Sequence, residues 1–493
     1  MNDEDQRRTA KQSKKFLFGL IDVDDALERL RATDLPFLVD WILSWTIVVL
    51  FSIRYCWQYA AMILAMKLKS QEELIWSLPL VVLPNCDERK NASQTDSIQQ
   101  FLDLLEETIG KSLNGGYSED QLVQAMRNTF QLRYLASLIM IPLETSKPDN
   151  DAPLKNDDDS ALELMQKLRS VWHRVLPFSD LSPGSSRDCP FEISVIIPAY
   201  RESQEDIIFT IKTAFQTCTR PKEVEIVLVM AAGGDDDDSK ATTIQQSLQS
   251  EDWMEMWGGC KVLECPAAIS GRGPTLNFGA RSATGRILTF LHSDTLLPVK
   301  WNLNIVDSFR PPEPTSDGSV SIPHACTFTM GVDLSPRGLK GGKIPPGLFG
   351  AYAVLGYLRI HLCLLPYGDN VLSFPAEIFH YLGGYPNQPL MEDYEIMHML
   401  RWRSLALRQI NSSSSDKDLP QEHLVIMKDR VQCSPRRWQA LGVAYTSLVN
   451  ALCVHRYHNG MTAQDLFACY YRKSKTGYSH SGADSNCSDK KNL

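Results

Sequence analysis

Two short stretches of this chain carry side chains that can do chemistry together. One is Gly383-Gly384-Tyr385-Pro386 followed by Pro389-Leu390-Met391-Glu392-Asp393-Tyr394. It sets a glycine-rich turn ahead of two adjacent carboxylates. The run from Met391 to Arg401 places apolar residues at mostly helical spacing, so Glu392 and Asp393 fall at a helix start. The helix dipole favours negative charge there, and a carboxylate so held can serve as a general base. Acidic first turns are also common in helices that do nothing, so the pair needs company. The second stretch supplies it. Ile287 to Leu291 is a short apolar run, read as a buried strand, and it ends in His292-Ser293-Asp294. Open α/β sheets place ligands at the carboxyl ends of their strands. One carboxylate suits Mg²⁺ or Mn²⁺ when diphosphate oxygens and water complete the shell. His292 would add a nitrogen donor that Mn²⁺ tolerates better than Mg²⁺. The alternative is an ordinary Asp turn capping a strand.

The elements that must position these groups follow from the apolar pattern. Ile193 to Ile197 is rich in β-branched residues and runs into Pro198, which is expected to stop the ladder. Ile207 to Phe215 reads as a helix, Val224 to Val229 as a second strand, and Lys261 to Leu263 as a third, weaker one. Gly271-Arg272-Gly273-Pro274 opens a helix through Ala283. Strands alternating with helices predict an α/β fold with a mostly parallel, doubly wound sheet.

Set in order from Ile193 to Trp438, these pieces resemble family 2 glycosyltransferases of the GT-A fold, and most of all the selenodomain-associated transferase branch. The resemblance is carried by Ser194-Val195-Ile196-Ile197-Pro198, Gly271-Arg272 with Leu276-Asn277-Phe278-Gly279-Ala280, and Phe290-Leu291-His292-Ser293-Asp294-Thr295. It continues through Leu365-Pro366-Tyr367-Gly368-Asp369, the Gly-Gly-Tyr-Pro to Glu-Asp stretch and Arg436-Arg437-Trp438. The resemblance implies an inverting, metal-dependent transfer of a sugar from a nucleotide-diphospho-sugar donor to an acceptor hydroxyl. It implies Asp393 as the base, with Glu392 beside it, and Asp294 with His292 as the metal-binding motif for Mn²⁺ or Mg²⁺. Ala199, Glu202, Asp235, Arg272 and Arg437 would contact the donor, and Trp438 the acceptor. Tyr367-Gly368-Asp369 would form a turn near the site.

The sequence departs from that pattern in places. Arg201 stands where Asn is frequent before the acid at 202. Met230 occupies the first acidic position after the second strand and cannot hydrogen-bond a base or ribose. Ser434 replaces the Gln that processive relatives carry. A degenerate, non-catalytic sugar-nucleotide binding protein is therefore the alternative. Nucleotidyl transfer would need a glycine-rich basic loop after the first strand, and Ala199-Tyr200-Arg201-Glu202 does not supply it.

The 493 residues allow a large core, and the net charge of −9 gives no support to a nucleic-acid partner. The 12 cysteines form no CxxC pair, which favours a reduced, cytosol-facing catalytic domain, although a Golgi-lumenal one would also be compatible. His455 and His458 have ligand-like spacing but no supporting cluster. The expected organisation is a helical N-terminal region over 1–145, a linker and lead-in helix over 146–190, a GT-A domain over 191–472 and a disordered tail over 473–493. Trp41 to Met66 is apolar and long enough to cross a bilayer, though Arg54 interrupts it. Membrane association is expected on that ground. Leu348 to Leu365 reads as an amphipathic helix, and Leu441 to Val454 as core.

Overall fold

The computed structural model describes residues 15–16, 21–22, 37–68, a few positions between 103 and 125, 189–200, 202–231, 240–266, 269, 271–310, 321–345, 347–381, 384–386, 388–397, 399–400, 421–458 and 461–471. Asp235, the 146–188 approach, the Ser-rich 411–420 stretch and the tail lie outside the described residues. The chain divides into two compact units, one of residues 1–54, 332–356 and 434–493, the other of residues 55–331 and 357–433.

The larger unit is built on an eight-stranded sheet. Its strands are β1 (Phe191–Ala199), β2 (Val224–Met230), β3 (Gly259–Glu264), β4 (Gly285–Phe290), β5 (Thr295–Leu296), β6 (Ser321–Val332), β7 (Leu372–Pro375) and β8 (Gln421–Cys433), in the order β3-β2-β1-β4-β7-β6-β8-β5. The first half is parallel: β1 pairs with β2 and β4, and β2 with β3. β1 and β2, in the middle of this half, carry runs of Val, Ile and Leu, as strands covered on both faces require, whereas the edge strand β3 is only half-buried. The second half is antiparallel, through β4–β7, β7–β6 and β8–β5.

Pro198 does not end β1, whose register with β2 runs on to Ala199↔Met230. The Ile196 carbonyl accepts the Leu291 N–H on the β4 side, so the edge of Pro198 faces that side too. Pairing with β4 has stopped by then, its last pair being Ile196↔Phe290, and the missing N–H removes no ladder bond.

Helices α2 (Gln204–Thr217), α3 (Lys240–Gln249), α4 (Arg272–Ser282) and α5 (Trp301–Ser308) join the strands, and Ser203 caps α2 by accepting the Asp206 N–H. Core packing is continuous from Ile196, Val227 and Val229 through Leu276 and Ala280 of α4 to Phe290, Phe374, Phe379 and Tyr385. Ring centroids within that aromatic group lie 4.9–6.4 Å apart.

The amino-terminal end of the parallel half is tied by one buried carboxylate. Glu225 of β2 accepts the Ser194 hydroxyl of β1 at 2.5 Å, the Thr284 backbone N–H, and the Thr284 hydroxyl at 2.9 Å. It also pairs with Lys261 of β3 at 3.0 Å. Burial alone would push its pKa up, but these hydrogen bonds prevail and hold it below the usual carboxylate range.

The smaller unit contains most of α1 (Phe37–Leu68), a helix of 32 residues and about 48 Å. Within it Leu38–Cys56 is long and apolar enough to cross a membrane, and 17% of that stretch is buried. A core helix or a signal sequence passes the same test of length and composition. Ser44 and Trp45 pack on Gly347 and Gly350, while Leu38, Ile42, Val49, Leu50 and Ile53 are exposed. Leu348–Leu365 is not one amphipathic helix. It breaks into Leu348–Gly350, a π-helical turn at Ala351–Gly356 and a helical turn at Tyr357–His361. Glycines at 347, 350 and 356 weaken the helix, and Gly350 cannot carry a side chain beneath Trp45. The same unit carries α7 (Arg436–Leu441), α8 (Val443–His458) and α9 (Ala463–Tyr470) after the α6 helix (Ala376–Tyr381) of the larger one.

Glu225→Ala is expected to lower stability by about 3 kcal/mol in chemical denaturation, because it strands Ser194, Thr284 and Lys261 together. With its depressed pKa, the Glu225 contribution is present above the ordinary carboxylate pKa and lost as pH falls through the folded value. A loss below about 1 kcal/mol would show that the strap is dispensable.

Candidate active site

The glycine-rich turn is fixed to the sheet by one side chain. Asn277 of α4, 4% exposed, donates through Nδ2 to the Tyr385 carbonyl at 2.7 Å and accepts the Tyr385 N–H through Oδ1 at 2.9 Å. Its amide thus satisfies both backbone groups of a buried residue. Two glycines make the approach close enough. A Cβ on Gly271, whose φ is +103°, would lie 2.7 Å from Pro389 Cα, and one on Gly273 would lie 2.7 Å from the Pro386 carbonyl oxygen.

This contact brings the first residue of α4 against the carboxylate pair. Arg272 Nε donates to Glu392 Oε1, and Nη2 to Asp393 Oδ2 at 3.2 Å. Its Nη1 lies 3.4 Å from His292 Nε2. A guanidinium only donates, so this ring nitrogen accepts and the proton sits on Nδ1. Burial, then Arg272, push the His292 pKa down, against Asp294, Asp369 and Asp393, which push it up. Glu392 is 1% exposed, and burial raises its pKa to about 7; Arg272 opposes this and Asp393 adds to it.

Asp393 is held by three donors. Arg272 and the Gly368 N–H, at 2.8 Å, meet Oδ2, and the Tyr394 N–H meets Oδ1 at 2.7 Å. Gly368 belongs to the 3₁₀ turn Gly368–Asn370. A Cβ there would lie 2.7 Å from His292 Nε2, so only glycine allows this approach.

Asp294 is half-buried in the turn between β4 and β5. Thr210 of α2 donates to the Ser293 carbonyl at 2.6 Å, and Thr295 pairs with Cys433 across β5–β8, so both ends of the turn are fixed. Among the described residues no group of three or more His, Cys, Asp or Glu side chains forms a metal cage. A cation bridging a diphosphate needs only one or two protein ligands, because phosphate oxygens and water supply the rest. Asp294, half-buried in a turn fixed at both ends, could supply one such ligand.

The remaining expected residues are spread along the chain. Ala199 closes β1 beside Met230, which is 7% exposed, and accepts the Ala231 N–H at 2.9 Å. Glu202 folds back to accept the Tyr200 N–H. Arg437 and Trp438 lie on α7 in the smaller unit, with the Arg437 guanidinium 3.8 Å above the Tyr470 ring.

Residues 194–329, which contain most of β1, all of α4 and the His292–Asp294 turn, match the family model described as Glycosyl transferase family 2. No curated protein matches the sequence. Similar solved structures include the mannosyltransferase PcManGT from Pyrobaculum calidifontis in complex with GDP-Man and Mn²⁺, at 16% identity and a TM-score of 0.34, covering 60% of this chain and 76% of that one. TarS 1–349 from S. aureus is similar at 13% identity and a TM-score of 0.30, covering 57% and 69%. GalNAc-T7 with UDP, GalNAc and Mn²⁺ is similar at 13% identity and a TM-score of 0.30, covering 59% and 55%.

The Glu392 proton gives a test of this geometry. The folded protein keeps it up to about pH 7, whereas an unfolded chain releases it near pH 4.3, so stability falls as pH rises across that window. Glu392→Gln should flatten that decline in denaturation measured from pH 4.5 to 7.5. An unchanged slope would mean that Glu392 is not the group holding the proton.

Proposed function

We propose that the protein is an inverting, metal-dependent GT-A glycosyltransferase that moves a sugar from a nucleotide-diphospho-sugar to an acceptor hydroxyl. The observation that carries this reading is the meeting of Arg272, His292 and the Glu392–Asp393 pair at the carboxyl edge of β4. The match of residues 194–329 to the glycosyltransferase family 2 model supports it. The nucleotide-sugar and Mn²⁺ complexes of the similar structures name the donor class and the cation we expect here.

In this reading the acceptor oxygen attacks the anomeric carbon as the bond to the diphosphate breaks, and the nucleoside diphosphate leaves with the electron pair. Asp393 takes the acceptor proton. The Gly368 and Tyr394 N–H groups hold the carboxylate in one orientation, so alignment does not have to be reached during the reaction. Arg272 is 37% exposed along its side chain and can turn from the carboxylates to a diphosphate, which opens one acceptor position on Asp393 Oδ2 while the Gly368 N–H stays bound there. Glu392, sealed and titrating near neutrality, supports Arg272 rather than acting on substrate. Asp294, with His292 beside it, would hold Mn²⁺ or Mg²⁺, whose Lewis acidity would offset the charge of the leaving diphosphate. Ala199, Glu202 and Asp235 would frame the nucleotide. The apolar stretch Leu38–Cys56 would associate with a membrane.

A degenerate sugar-nucleotide binding protein is the second reading. Met230, apolar and buried at the end of β2, favours it.

Transfer and donor binding separate the roles. Asp393→Asn should lower kcat by at least about 1,000-fold while leaving donor affinity within a few-fold. Asp294→Ala should abolish the metal dependence of donor binding. Turnover near that of the parent in Asp393→Asn would remove Asp393 as the base. Donor binding with no transfer in the parent protein, across a broad acceptor panel, would favour the second reading.

A further inference from the structure

The turn that meets Asp393 has a support of its own, which the proposed reaction does not use. Arg359, in the Tyr357–His361 helical turn, has a side chain only 11% exposed. Its Nη2 donates to Asn370 Oδ1 at 2.8 Å and lies 3.5 Å from Asp369 Oδ1, and its guanidinium sits 3.7 Å above the Tyr367 ring. One side chain therefore engages three of the four residues from Tyr367 to Asn370. The fourth, Gly368, gives its N–H to Asp393 Oδ2 at 2.8 Å.

We propose that Arg359 is a positioning residue of the transferase, holding this turn so that the Gly368 N–H fixes the Asp393 carboxylate for proton removal. The inference rests on the transferase reading above.

The turn has hydrogen bonds of its own, from the Asn370 N–H to the Tyr367 carbonyl at 2.9 Å, the Val371 N–H to the Gly368 carbonyl at 3.1 Å and the Tyr367 N–H to Asn370 Oδ1 at 3.3 Å, and Arg359 adds side-chain contacts to them. β7 begins only at Leu372, and Val371 between them has a φ of 58°, a left-handed conformation that a β-branched residue adopts only when its surroundings impose it. Other contacts clamp the rim: Asn370, fully buried, donates to the Phe328 carbonyl at 3.4 Å and its own carbonyl accepts the Thr327 hydroxyl at 3.1 Å, while the Cys433 thiol donates to the Asp369 carbonyl at 3.0 Å. Arg359 joins the Tyr367 ring to the Asp369 and Asn370 side chains. Lysine could keep the charge but not the planar fork and the stacking. A shift of the turn reaches the base directly, because the Gly368 N–H donates to Asp393 Oδ2 at 2.8 Å.

The test uses the full chain, with Arg359→Met and Arg359→Lys. Hydrogen exchange read by mass spectrometry over residues 365–372 needs no turnover. The Met variant should exchange there about tenfold faster, with exchange across β1, β2 and β4 unchanged. In transfer assays kcat should fall on the order of 30-fold with the donor KM within about threefold, and Lys should recover part of the loss. Unchanged exchange over 365–372 would overturn the proposal whatever the activity. Faster exchange with an unchanged kcat would also overturn it, by separating the turn from the base. A parent protein without transfer would defeat the transferase reading instead, and the exchange result would still decide whether Arg359 holds the turn. If the Met variant does not fold, the Lys variant carries the same comparison.

Discussion

The site depends on the two hydrogen bonds between the Asn277 side chain and the Tyr385 backbone. Tyr385 is 1% exposed in the aromatic group of Phe290, Phe374 and Phe379, where an unpaired N–H and carbonyl would each cost on the order of 1–3 kcal/mol. The amide pairs both at once. It thereby joins a helix that packs against β1 and β2 to a turn more than one hundred positions later in the chain. Gly271 and Gly273 then let the start of that helix lie on Pro386 and Pro389, and from there Arg272 reaches the carboxylate pair.

That contact explains the electrostatics. Two carboxylates placed side by side at 1% and 8% exposure would repel and resist ionisation, and Arg272 relieves this by bridging them. The relief is unequal. Burial pushes the Glu392 pKa up to about 7, whereas Asp393, 8% exposed, keeps additional donors from Gly368 and Tyr394. His292, neutral and accepting from Arg272, marks the far side of the same guanidinium and connects it to the turn that carries Asp294.

Much of this could be read from the sequence, and the parts that could not share a physical reason. β1, β2 and β4 were legible because strands covered on both faces are continuous apolar runs. The start of α4 was legible from Gly271. The antiparallel half was not: β7 has four residues, and β6 and β8 mix His, Lys, Asp and Arg into their length. Pro198 suggested a strand end because its edge faces an absent neighbour, which only the sheet order shows. Asn277 and Arg359 were missed as organisers because a buried polar residue declares its purpose only through partners distant in sequence. The one local signal for Asn277 was its polarity between Leu276 and Phe278, and for Arg359 a charge inside an apolar stretch.

The most direct measurement of the central claim is a calorimetric titration of the full chain with UDP, GDP and CDP, each in Mn²⁺ and in a chelator. The account predicts that one nucleoside diphosphate binds in Mn²⁺ and weakens at least about tenfold on chelation, since the cation would link Asp294 to the diphosphate. Binding of equal strength with and without the metal, or no binding by a folded sample, would contradict a metal-dependent donor site built around Arg272 and Asp294.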